Sequence, residues 1–166
     1  MAYRNKTYVA FDGDNDITYY RLMLAWKAKD NIDFNFHNAH DLNQARDTSS
    51  EESIKSQLRV RMQNTKVFIL LVGNSTRYCT KFVKWEIESA IRRKLPIIVV
   101  NLNNNRKKDS LCPSILNDEL TIHIPFKQSI IRYAIDNWPE SYKKHVSQGE
   151  TGAYTYKTHV YESLGL

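Results

Sequence analysis

The stretch "FVKWEIESAIRRK" (82–94) places two carboxylates, Glu86 and Glu88, two residues apart in a helical pattern. At about 100° per residue, Val83, Ile87, Ala90 and Ile91 form an apolar stripe, and the two glutamates flank it on opposite sides. Glu88 has Lys84 and Arg92 four residues before and after it, a spacing for ion pairs on a solvent face. Glu86 has Phe82 and Ala90 at those positions, and no basic residue of its own helix is placed to meet it. A carboxylate edged by apolar groups is either solvated at a rim or held in a cleft, where poor solvation alters its acidity. Pattern alone leaves both roles open for Glu86.

Three more constellations carry reactive or ligating side chains. "DGDND" spaces Asp12, Asp14 and Asp16 as a calcium loop does, but Ile17 stands where that loop needs glycine and Met23 where it needs glutamate. A turn capping the next helix is the simpler role, and no metal site is expected. His37, His40 and Asp41 in "FHNAHD" have acid-base or metal-ligating chemistry, although loop histidines are commonly just polar. Phe11, Phe82 and Trp85 offer rings for stacking, yet an aromatic at strand or helix spacing is more often core. Asn103 closes the run "LPIIVVNLN", and His123 within "TIHIPF" suits a core or edge histidine. Gly73 stands alone in "VGNST", with neither a dinucleotide fingerprint nor a Walker sequence, which weighs against kinase, GTPase and ordinary dehydrogenase functions. Ser75 and Thr76 have no histidine and acid beside them to make a nucleophile.

These residues need elements to position them. "KTYVAF" (6–11), "IDFNFH" (32–37), "KVFILLVG" (66–73), "LPIIVVNLN" (95–103) and "LTIHIPF" (120–126) read as five strands. Helices are expected over 17–29, with Tyr19, Leu22, Met23 and Trp26 as its apolar positions, over 48–63 behind a Ser/Thr and glutamate start signal, over the Glu86 segment, and over 128–138, ending before Pro139. Strands alternating with helices imply a mostly parallel sheet covered on both faces. Ligands then gather at the carboxyl ends of the strands, in "FDGDND", "FHNAHD", "VGNSTRYC" and "NLNNNRKK".

The 166 residues suffice for one core: a main unit over 1–140, with 141–166 as an extension packed on it or extending it. Two cysteines without CxxC spacing, no apolar leader and no long apolar span point to a cytoplasmic chain with no membrane partner. The net charge of +6 comes in separate groups, Arg59 and Arg61, "RRK" (92–94), "RKK" (106–108), and Lys143 with Lys144, which suits an anionic partner. No nucleic-acid motif accompanies them, so nucleic acid is not the favoured partner.

"RYCTKFVKWEIESAI", preceded by "KVFILLVGNST" and followed by "LPIIVVNLN", resembles the central part of the TIR domain family, in particular the TIR-like branch containing the ThsB proteins of the Thoeris anti-phage system. The resemblance extends through "VAFDGDNDITYYRLMLAW" and "FNFHNAHDLNQARDTSSEESIKSQL" and covers about residues 5–126. It implies an α/β flavodoxin-like three-layer sandwich with a five-stranded sheet. It also implies cleavage of NAD, as substrate and without a further cofactor, between nicotinamide and ribose, with Glu86 as catalytic residue. Phe11, Asp12, Asp16, His40, Asp41, Phe82, Trp85 and Asn103 become the substrate-binding set. Three aspartates beside a pyrophosphate call for an offsetting charge, for which Arg46 and Arg77 are the candidates. The product, linear, cyclic or conjugated, would reach an effector protein as a diffusible nucleotide signal, with self-association into a homo-oligomer as a further expectation. The alternative is a non-catalytic TIR-like module that signals by assembling with itself or a partner.

Overall fold

The computed structural model describes residues 6–29, 35–37 and 50–166. In chain order, β1 (Lys6–Ala10), α1 (Ile17–Lys29), β2 (Asn35–His37), α2 (Glu51–Gln63) and β3 (Val67–Val72) come first. Then come α3 (Phe82–Arg92), β4 (Ile97–Asn101), β5 (Thr121–Pro125), α4 (Gln128–Ser147), β6 (Ala153–Thr155) and α5 (Thr158–Ser163). The six strands pair in parallel in the order β2-β1-β3-β4-β5-β6. The five expected strands are present, and the tyrosine-rich tail adds a short sixth at the edge.

β3 is apolar at every position because both of its faces are covered. Val67, Ile69 and Leu71 pack with Tyr20 and Met23 of α1 and Ile130, Ile131 and Ala134 of α4. Phe68, Leu70 and Val72 pack with Ile54, Leu58 and Met62 of α2 and with Val83, Ile87 and Ala90 of α3. The result is the three-layer sandwich. Ser50 caps α2 as the start signal predicts, its hydroxyl accepting the Ser53 N–H at 3.1 Å with Glu51 and Glu52 in the first turn. No helix among the described residues is long and apolar enough to cross a membrane.

Two helices depart from expectation. In α1 the buried residues are Tyr20 and Met23, whereas Tyr19 and Leu22 are exposed. Tyr19 still reaches the edge of Phe126, and Trp26 packs on the same ring. α4 does not stop at Pro139 but continues through it to Ser147. A proline there forgoes one backbone hydrogen bond and crowds the preceding turn. The continuation is held by aromatic packing, since Trp138 meets Tyr142 and His145 on α4, and Trp138 and His145 both pack on Tyr154 of β6.

His123 is 1% exposed on β5, one ring nitrogen 2.9 Å from the Thr121 hydroxyl and Nδ1 without a hydrogen-bond partner among the described residues. Burial, and then the charge of Lys108, pushes its imidazole down from 6.5 to about 4. Between those values the unfolded chain binds a proton that the folded chain refuses. Stability therefore falls as pH drops through this window, the full loss being about 3 kcal/mol. His123→Gln should flatten the acid limb: urea midpoints at pH 7 and pH 4.5 should differ less in the variant than in the parent.

Candidate functional site

Strand order reverses between β1 and β3, because the chain runs outward from β1 to β2 and then returns to build β3, β4 and β5. Crevices form at such a reversal, outside the carboxyl ends of the strands. Here the loop after β1 supplies Asp12 and the loop after β3 supplies Ser75. The Ser75 hydroxyl donates to Asp12 Oδ2 at 2.6 Å and ties the two loops together. Asn15 completes a triangle, its amide donating to Asp12 Oδ2 at 2.7 Å and to Ser75 Oγ at 3.1 Å. Beside this clamp lies a cleft of about 520 Å³, lined among others by Asp14, Tyr78, Lys81 and Phe82.

The three aspartates have different fates. Burial alone would push the Asp12 carboxyl up, but hydrogen bonds from Ser75, Asn15, the Asp14 N–H and Cys79 outweigh it and hold Asp12 below the usual carboxylate range. Asp14 is exposed at the mouth. Asp16, 7% exposed, is pushed the other way, by burial first and then by the charge of Asp12, against a hydrogen bond with Thr76. The same surroundings act on Cys79, whose thiol burial and the neighbouring aspartates push up to about 11, so it stays protonated. Among the described residues no three His, Cys, Asp or Glu side chains converge as metal ligands.

Asp16 reaches its position only because residue 73 is glycine. A Cβ on Gly73 would stand 2.6 and 2.7 Å from the two carboxylate oxygens of Asp16. Gly73→Ala should therefore destabilise by about 1 to 3 kcal/mol through overpacking. Asp16→Ala in the same chain should recover most of the loss, a coupling that a double-mutant cycle of urea midpoints would read.

α3 settles which glutamate is buried. Its buried face comprises Phe82, Val83, Glu86, Ile87, Ser89 and Ala90, so Glu86 lies inside the packed face at 5% exposure. Glu88 is half-buried, and its expected ladder does not form among the described residues, since Arg92 turns instead to the Ser89 hydroxyl at 3.0 Å. Residues four apart share a helix face. Glu86 is thus one turn along from Phe82, which lines the cleft.

The remaining candidates are distributed as follows. Phe11 is 3% exposed and stacked on Tyr20 at 4.8 Å, within the core. Trp85 faces α2, with Lys55 and Arg59 over its ring at 6.0 and 5.6 Å. Arg77 bonds the Ser110 carbonyl and covers the Tyr78 ring. β4 ends at Asn101, two residues earlier than the sequence suggests, because the Asn101 amide donates to the carbonyls of Asn105 and Lys107 and folds the loop back. Asn103 is then exposed in that loop, bonded to Asp109 and the Asn105 N–H. His40, Asp41 and Arg46 lie outside the described residues, as does the side chain of His37.

Sequence reasoning missed the clamp residues Asn15 and Ser75 and the wall residues Tyr78 and Lys81. The available signal was position: Ser75, Tyr78 and Asn15 fall in loops that follow strands β3 and β1.

A profile of the family described as Thoeris protein ThsB, TIR-like domain, matches residues 8–107, more than half of the chain. The chain belongs to that family. Membership links this TIR-like domain to Thoeris anti-phage defence. The matched span of the TIR-like domain runs from β1 into the loop after β4 and contains Asp12, Ser75, Phe82 and Glu86.

Proposed function

We propose that this chain is an NAD-cleaving enzyme that releases nicotinamide and makes an ADP-ribose-derived signal, linear, cyclic or conjugated, for an effector protein in the same cytoplasm. The observation that carries the proposal is the burial of Glu86 on the face of α3 that also brings Phe82 to the cleft at the reversal of strand order. In the reaction the bond from ribose C1′ to the pyridinium nitrogen breaks, and its electron pair stays with nicotinamide. Nicotinamide leaves neutral, so no acid is needed to protonate it, in contrast to glycoside hydrolysis with its two carboxylates. What needs help is the oxocarbenium-like ribose. A carboxylate in poorly solvated surroundings stabilises that positive charge strongly, because little water screens it.

The clamp fits the same end of the substrate. Asp12 keeps its negative charge, which favours a cationic pyridinium and a ribose diol over a pyrophosphate. Lys81, on the other wall and already 3.7 Å from Glu51, is the cation of that cleft that could face the phosphates. Water, or a hydroxyl of the ADP-ribose itself, takes the ribosyl group and loses its proton to solvent.

The test is incubation of NAD with the purified chain at several concentrations, followed by mass-resolved chromatography. Nicotinamide and a second product are expected, and the mass of the second separates hydrolysis from cyclisation. Concentration-dependent assembly with no nicotinamide at any concentration would overturn the proposal in favour of a non-catalytic assembling module.

A further inference from the structure

At the opposite end of the strands, where β3 and β4 begin, lies a second cleft of about 600 Å³. Lys66, Arg93, Lys94 and Lys143 line it, and among the described residues no acidic side chain does. All four are exposed, and none pairs with a carboxylate among the described residues. They come from three separate parts of the fold: the start of β3, the end of α3 and the C-terminal part of α4. Cations near a helix end can be explained by the macrodipole, which accounts for Arg93 and Lys94. It does not account for Lys143, which precedes the last turn of α4. Lys94 also occupies a left-handed position, φ 54°, at the C-terminal cap of α3, where glycine would be the least strained residue.

The floor differs from the rim. Met62, Leu95 and Pro96 are buried beneath the cations and give the cleft an apolar base. Its volume is within the range of small-molecule sites. Mutually repelling cations around an apolar base suit a ligand with several negative charges and a flat, weakly polar body.

We infer that this cleft binds a nucleotide polyphosphate, with phosphates on Lys66, Arg93, Lys94 and Lys143 and the base against Leu95 and Pro96. The strands are five or six residues long, which sets the cleft about 17 to 20 Å from the Asp12 clamp. The two sites are therefore separate, and this one does not depend on the NAD proposal.

Titration calorimetry of the full chain with ATP, without added metal, tests it. ATP should bind with an affinity that falls as salt rises. Lys66→Gln with Lys143→Gln should weaken binding by about tenfold or more while NAD cleavage stays at the parent rate. Lys94→Gly should also weaken binding while raising the melting temperature, which separates loss of ligand from loss of fold. Glu86→Gln should bind ATP as the parent does. Equal ATP affinity in the double variant and the parent would overturn the assignment, as would no binding of ATP. Tripolyphosphate binding as tightly as ATP would overturn the role of the apolar floor. A single-stranded oligonucleotide that binds far more tightly and is weakened by the same two substitutions would overturn it in favour of a nucleic-acid surface.

Discussion

Glu86→Gln is expected to lower nicotinamide release from NAD by about 100- to 1,000-fold, the scale on which a single preorganised electrostatic group contributes to an enzyme transition state. Glutamine keeps the shape and the hydrogen-bonding oxygen of Glu86 and removes only its charge. The loss should therefore appear in kcat, with KM changed little, because the charge matters most when the ribose becomes cationic. The melting temperature should remain close to that of the parent. Full turnover in the variant would remove Glu86 from the chemistry and leave it the role of a buried structural carboxylate. Glu88→Gln is the matched control, one carboxylate removed two residues away, and should leave the rate unchanged.

Trp138→Ala should be the most damaging single truncation for stability, costing about 3 to 5 kcal/mol. Trp138 is 2% exposed and leads the fully buried side chains by volume. Its ring meets Tyr142, His145 and Tyr154, so the same residue holds α4 beyond Pro139 and fastens β6. In a chain of this length the loss corresponds to a fall in melting temperature of about 10 °C. Its indole N–H has no hydrogen-bond partner among the described residues. Trp138→Phe therefore discards an unpaired donor along with some area and should cost clearly less. Thermal melts in the order parent, Phe, Ala would bear this out; equal losses for Phe and Ala would show that the indole itself is indispensable.

The sandwich was legible because its signals are local and redundant. "VFILLV" can hardly be anything but a strand covered on both faces, and Ser50 with Glu51 and Glu52 marks a helix start whatever surrounds it. α4 was misjudged at Pro139 because the compensating contacts come from Tyr154, fifteen residues further along the chain. Glu86 could not be separated from Glu88 by periodicity, since both flank the apolar stripe of α3; only the packing of α3 on the sheet puts one of them inside. The Asp12 and Ser75 clamp joins residues 63 apart in sequence, and no spacing rule reaches that far. What the sequence did supply was the rule that loops after parallel strands converge, and the clamp joins two of the loops named by that rule.

β6 has a consequence for how copies of this chain can meet. Ala153–Thr155 occupies the hydrogen-bonding edge of β5 at Thr121, Ile122 and His123. An uncovered edge is a template for another chain, and a short strand laid along it blunts that template. The tail thus acts as a stopper on one flank of the sheet. Strand-to-strand growth from β5 into a continuous ribbon is closed on that flank.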